Sequence, residues 1–214
     1  MPTTMAAWQK VVATNPEPAA TADDDSNDRE LVARSRAGDL AAFEVLYRRH
    51  EGTVFRFALR QTDSADDADD VRQETFVRAY QSLARYRGDA RFRTYLLTIC
   101  ANLCRDRLRG RLRRPERGYG LELPEGVAFA AGDARVGCPV VGLERAADAA
   151  LVRAALRQMP PAAREVLLLR HVEELDFDEI ARVLGCTRLS VPVRLFRARN
   201  RFREVFASLT RDES

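Results

Sequence analysis

One stretch limits what this chain can fold into. Residues 115–143 hold six glycines and three prolines, a density that suits neither a helix interior nor a strand interior. On either side of it, apolar residues recur at three- and four-residue spacing, the pattern of helices that bury one face. Aromatics make up 7% of the 214 residues and Val, Ile and Thr are not dense, which favours helix over sheet. The expectation is an all-α chain of two small helical domains joined by a flexible linker. Its segments are a disordered tail over 1–28, a first domain over 29–114, a linker over 115–142 and a second domain over 143–210.

Local signals place the helices. Asp28 stands as an N-cap before Leu31, Val32 and Ser35, and Gly38-Asp39 makes a break. Leu40, Phe43, Leu46 and Tyr47, then Val54, Phe55, Ala58 and Leu59, continue at helical spacing up to Thr62-Asp63-Ser64. A helix follows over 66–83, a loop carrying Gly88 over 85–90, and another helix over 91–112 that stops before Pro115. In the second half, periodicity resumes at Leu143, and Pro160-Pro161 opens a helix through Leu169. Asp176 or Asp178 caps a short helix that ends at Gly185, and Ser190 caps a last one running to about Leu209.

Net charge is only +3, but the mean hides the distribution. Acidic residues concentrate over 63–74 and arginines over 105–117 and 188–203, while Lys10 is the only lysine. Clustered guanidiniums suit phosphate contacts. No apolar run approaches the roughly 20 residues of a membrane span, and residues 1–15 lack the apolar core of a signal peptide. A cytoplasmic protein without membrane insertion is expected. The four cysteines are scattered, as in a reducing compartment rather than a disulfide framework. Cys100 and Cys104 read as buried small hydrophobes, Cys138 as the most exposed thiol, and His50 and His171 as helix-surface residues. No phosphate loop, Ser/His/Asp set or zinc spacing is present, so no catalytic residue, metal or cofactor is expected.

Three constellations remain. Asp70, Gln73 and Glu74 share one helix face, beside an apolar face of Phe76, Ala79, Tyr80 and Leu83. On the helix after the loop, Phe92, Leu96, Ile99 and Leu103 form a core stripe, whereas Thr94, Thr98, Asn102, Arg105 and Arg109 form a polar one. Short polar groups leading into arginines suit a nucleic-acid strand. Tyr95 borders both stripes; with Tyr86 and Phe92 it offers rings for unpaired bases, although for Phe92 the core is the favoured place. The third constellation reads as a helix-turn-helix: F-D-E-I-A-R-V-L-G, a short turn, then L-S-V-P-V-R-L-F-R-A-R. On its last helix Ser190, Arg194, Arg197 and Arg201 share one face, and Val191, Leu195, Ala198, Phe202 and Val205 the other. An arginine stripe there is placed to enter a major groove.

Together these residues resemble the ECF (extracytoplasmic function) sigma factors of bacterial RNA polymerase. The resemblance rests on A-G-D-L-A-A-F-E-V-L-Y, D-V-R-Q-E-T-F-V-R-A-Y and Y-R-G-D-A-R-F-R-T-Y-L in the first domain. In the second it rests on M-P-P-A-A-R-E-V-L-L-L-R-H and on E-I-A-R-V-L-G through F-R-A-R. It implies a transcription initiation factor that binds core RNA polymerase, opens specific promoters and answers to an anti-sigma factor, with a role in stress response. Asp70, Gln73 and Glu74 would dock on the β′ coiled coil. Tyr86, Arg87, Gly88, Asp89, Phe92, Thr94, Tyr95, Thr98, Asn102, Arg105 and Arg109 would handle the −10 element, the loop capturing a flipped base. Arg188, Ser190, Arg194, Arg197 and Arg201 would read the −35 element near the β flap, and the polymerase would supply all catalysis.

Two departures stand out. Tyr95 takes a place where the family commonly has Trp. The last helix begins L-S-V-P-V-R where the family usually has Gly-Thr-Val, a basic residue, Ser and Arg, which predicts an altered or partly apolar −35 reading through thymine methyl contacts. A stand-alone helix-turn-helix repressor would leave the D-V-R-Q-E helix unexplained, and a cysteine-based metal or redox sensor would leave both domains unexplained.

Overall fold

The computed structural model describes residues 22–113 and 139–212; the tail before Ala22, most of the expected linker and Cys138 lie outside the described residues. These hold eight α-helices, one 3-10 turn and no strand. The helices are α1 (Ala22–Arg36), α2 (Leu40–Thr62), α3 (Ala65–Ser82), α4 (Phe92–Arg113), α5 (Pro139–Gln158), α6 (Pro161–His171), α7 (Phe177–Leu184) and α8 (Ser190–Asp212). They group into two compact units. One spans 19–122 together with 175–187, and the other includes 123–174 and 188–214.

In the first unit, α2, α3 and α4 pack on one another, with α1 against α2. Their ends are written in the sequence. The Asp39 side chain accepts from the Ala42 amide at the start of α2, and Ser64 accepts from the Asp67 amide at the start of α3. Asp63 closes α2 in the left-handed region, at φ 56°, a conformation that Asp tolerates. Along α3, Ala68, Val71, Thr75 and Ala79 have no exposed surface. A seam of small residues at that spacing lets two helices approach closely. Phe57 and Leu46 of α2 fill the space beside it, both fully buried.

Three expectations are corrected in the first two helices. The chain is already helical from Ala22, so 22–28 belong to α1 rather than to a tail. Asp28 is not an N-cap: it lies inside that helix, 3% exposed, and takes Arg49 Nη1 at 2.6 Å and His50 Nε2 at 2.7 Å. His50 is therefore buried, not on the surface. The partners lie 21 and 22 residues away, beyond any local pattern. A buried carboxylate persists only when it is paired in this way.

In the second unit, α8 packs on α5 and α6. Val191, Leu195, Ala198, Phe202 and Val205 are all buried, which is the predicted face, and they meet an interior built from Val152, Ala155, Met159, Val166 and Leu169. Pro139 opens α5 four residues before the expected start, and Pro161 opens α6. Ser190 is the first residue of α8 rather than its cap, and Pro192 falls in the first turn, where no amide donor is needed. His171, expected on a helix surface, is half-buried beside Arg199, with Nε2 3.3 Å from its Nη2. Burial first, then Arg199 and Arg170, lower its pKa from 6.5 to about 4.

Candidate nucleic-acid and protein interface

Asp70, Gln73 and Glu74 lie together on α3 and face solvent. Asp70 is 62% exposed and takes Arg107 Nη2 at 3.0 Å. Gln73 donates to Asp69 at 2.6 Å, and Glu74 pairs with Arg78 at 2.7 Å. The hydrogen bond from Arg72, then that from Gln73, hold Asp69 below the usual carboxylate range. Arg72 also donates to Tyr47 and Glu51, which locks α3 to α2 behind the acidic row. Val77 and Tyr80, 50% and 41% exposed, extend the row with apolar surface. The sequence reading missed Val77 and placed Tyr80 among apolar neighbours that are buried. The visible signal was Val77 at i+7 from Asp70 and i+3 from Glu74, on the acidic side of the helix.

The loop after α3 builds an aromatic cluster. Tyr86 and Tyr95 are half-buried with ring centroids 4.9 Å apart, and Phe92 lies 5.8 Å from each. Phe92 itself is 2% exposed and packs on His50, so it is a core residue and presents no face for a base to stack on. The Tyr86 hydroxyl donates to the Ala90 carbonyl, which closes the loop on itself. The Tyr95 hydroxyl lies 2.6 Å from Ser82 Oγ and also reaches the Ala79 carbonyl. Gly88 has φ 78°, and a Cβ built on it meets nothing within 4 Å. Arg87 and Asp89 are exposed on either side of it.

The polar stripe of α4 is divided. Asn102 and Arg109 are exposed, and Thr98 is half-buried with its hydroxyl donating to the Thr94 carbonyl. Thr94 is 1% exposed, and its hydroxyl donates to Glu179 Oε1 at 2.7 Å. Arg105 donates to the Val183 carbonyl at 2.8 Å, and Arg182 donates to the Asp89 carbonyl at 2.6 Å. Helix α7 thus covers one end of the stripe, and in this arrangement Thr94 faces protein rather than solvent. Glu179 is the pivot, because its other oxygen accepts from the Asp176 amide and completes the capping box of α7. Cys100 and Cys104 are buried as expected, and the core face of α4 is wider than the predicted stripe: Leu97 and Ala101 are buried alongside Phe92, Leu96 and Leu103, while Ile99 is half-buried.

Arg188, in the turn before α8, and Arg194, Arg197 and Arg201 on α8 are exposed, Arg201 pairing with Glu204 at 3.0 Å. Ser190 is half-buried. Leu189 and Phe196, which the sequence reading left unassigned, are 88% and 63% exposed, and Val193 is 51% exposed.

Comparison with known proteins decides the family. The Sigma-70 region 2 model matches residues 46–114 and the Sigma-70 region 4 model matches residues 149–202. The RNA polymerase sigma-H factor of Pseudomonas aeruginosa is 32% identical over 188 residues, covering 86% of this chain and 96% of that protein. The ECF RNA polymerase sigma-E factor of Escherichia coli is 32% identical over 174 residues, covering 80% and 90%.

This chain belongs to the ECF sigma factors.

It binds core RNA polymerase, recognises and opens promoters, and directs transcription initiation. Solved structures agree on the fold. CnrH, solved with the cytosolic domain of CnrY, matches at TM-score 0.60 and 27% identity, over 85% of this chain and 98% of that one. The sigma factor RpoE of Bartonella quintana, solved with the anti-sigma factor NepR, matches at 0.59 and 23%, over 77% and 96%. Among the described residues, no helix is long and apolar enough to cross a membrane.

Proposed function

We propose that the sigma activity is divided along the chain as follows. Asp70, Gln73 and Glu74, joined by Val77 and Tyr80, dock on the β′ coiled coil of core polymerase. The loop from Tyr86 to Asp89, backed by Tyr95, receives a base flipped out of the −10 element. Thr98, Asn102, Arg105 and Arg109 follow the strand that carries this base, and Thr94 joins them once α7 has moved off. Arg188, Ser190, Arg194, Arg197 and Arg201 engage the −35 element near the β flap. The chain contributes no catalytic residue and no cofactor, works in the cytoplasm, and is held by an anti-sigma factor in the way that the relative from Bartonella quintana was captured with one.

The observation that carries this reading is that an exposed acidic row and a half-exposed tyrosine pair stand on one compact unit, at either end of the α3–loop–α4 hairpin. The carboxylates offer charge to a basic partner at low desolvation cost. Extruding a base costs a few kcal/mol. Stacking on an aromatic ring returns roughly 1–3 kcal/mol, so a ring beside the open space at Gly88 shifts the balance towards melting. The ion pairs of Asp70 and Glu74 lie at the surface, where each contributes about 0–1 kcal/mol to the fold. Replacing both residues with Ala therefore weakens association with core polymerase while leaving the circular dichroism spectrum and melting curve intact. Unchanged affinity for core would overturn the assignment of this face.

A further inference from the structure

Helix α8 carries an apolar row that the fold does not use. Its buried residues Val191, Leu195, Ala198, Phe202 and Val205 define the inward direction. At about 100° per residue, Val193 and Phe196 point within roughly 40° of the opposite, outward direction, and Leu189, in the turn immediately before α8, adds exposed apolar surface at its start. They stand at i, i+4 and i+7, and they are three of the seven large apolar side chains left exposed among the described residues, at 88%, 51% and 63%. The arginines of the predicted stripe, Arg194, Arg197 and Arg201, do not share this direction. They lie about 60–120° to one side of it on the same wheel, and Arg203 lies on the other side. No acidic residue occurs from Arg188 to Arg203.

We propose that Leu189, Val193 and Phe196 read thymine methyl groups in the major groove of the −35 element, while the flanking arginines hold the phosphates. The proposal rests on the assignment of α8 to promoter DNA. Charge argues for this occupant, since a narrow apolar ridge between arginine flanks matches a groove walled by phosphates. Dimensions agree: the six helical rises from Ser190 to Phe196 cover about 9 Å, close to three base steps of 3.4 Å. Chemistry selects the base. In the major groove, thymine alone offers a methyl group, while guanine, adenine and cytosine present donors or acceptors. Three apolar side chains pressed against such groups would leave them desolvated and unpaired, so the ridge favours thymine and also disfavours the alternatives. Pro192 is compatible with this arrangement, because it sits in the first turn of α8, on neither the ridge nor the arginine stripe.

The test uses holoenzyme assembled from the full chain and core polymerase. Promoters are selected from a library randomised across the −35 region, and the enriched duplex is then rebuilt with uracil in place of thymine, which removes only the methyl groups. The expected selection contains at least two thymines on one strand within three consecutive base pairs. Each uracil weakens binding about fourfold, the loss expected for one buried methyl. Phe196→Ala brings the thymine-to-uracil ratio to within about twofold of unity and leaves the salt dependence unchanged. Arg197→Ala preserves the ratio but reduces the salt slope by about one. Both side chains are exposed, so both variants should fold, and their circular dichroism spectra verify this. Equal binding of thymine and uracil promoters by a holoenzyme that still selects its −35 sequence would overturn the inference alone. Phe196→Ala that impairs assembly with core polymerase without altering the ratio would make the ridge a protein-docking surface and overturn it as well. A chain that forms no holoenzyme, or a holoenzyme that enriches no −35 sequence, would overturn the promoter-binding assignment and this inference with it.

Discussion

Asp28→Ala removes a buried carboxylate that ties α1 to α2 by charge. Asp28 is 3% exposed and meets two partners, Arg49 at 2.6 Å and His50 at 2.7 Å. Truncating one member of a buried pair costs about 3–5 kcal/mol, because the remaining polar group stays desolvated. The Arg49 side chain is 26% exposed and recovers some water, so the lower end applies, about 3 kcal/mol. That raises the unfolded fraction roughly 150-fold. Asp28→Asn keeps the shape and an oxygen acceptor for Arg49, and is expected to lose only about 1 kcal/mol. Urea unfolding followed by circular dichroism measures both variants. The effect should also reach the loop, because His50 packs 5.7 Å from Phe92, and Phe92 backs both Tyr86 and Tyr95. Asp28→Asn should therefore lower promoter opening more than it lowers core binding. If Asp28→Ala costs less than 0.5 kcal/mol, or if Ala and Asn cost the same, the reasoning from burial and pairing is wrong.

Three further outcomes follow from named groups. His171 is neutral in the fold down to about pH 4 and takes up a proton near 6.5 when unfolded, so the unfolded state binds more protons between these values. Stability of the α5–α6–α8 unit should therefore be fully present above about pH 6.5 and fall as pH drops towards 4. The loss is about 1–2 kcal/mol after allowance for partial solvent screening; His171→Gln should flatten that window, and a wild-type profile already flat from pH 7 to 4.5 would exclude it. Gly88→Ala forces a side chain into φ 78° at about 1 kcal/mol, so permanganate footprinting should show roughly fivefold fewer open complexes with core affinity unchanged. Thr94→Val deprives the buried Glu179 carboxylate of a donor while leaving the capping box intact; amide exchange along α7 should speed up by about 5- to 30-fold, corresponding to about 1–2 kcal/mol, and unaltered exchange would remove this contact from the account.

What could be read in the sequence was local. Asp39, Ser64, Asp176 and Gly185 mark helix ends through their own backbone neighbours, and each caps where its residue type predicts. The buried face of α8 is a period of three and four and needs no tertiary knowledge. What was missed is long-range. Nothing near Asp28 points to His50, and nothing near Thr94 points to Glu179, 85 residues on. A threonine in a polar stripe reads as a ligand-facing group until the helix that covers it is known. Phe92 reads as core from its own stripe, and its 2% exposure and contact with His50 place it there. The apolar ridge of α8 lay in plain view as Leu189, Val193 and Phe196. They stand outside the arginine stripe of Arg194, Arg197 and Arg201, at 88%, 51% and 63% exposure.

The most direct test of the central claim is run-off transcription on a genomic promoter library with core polymerase, in the presence and absence of this chain. The account predicts that the chain is retained by core at low salt and that discrete start sites appear only when it is added. These sites should lie downstream of a common −35 and −10 pair and be lost on replacing Asp70 and Glu74 with Ala. Core polymerase that neither retains the chain nor changes its start sites would contradict the account.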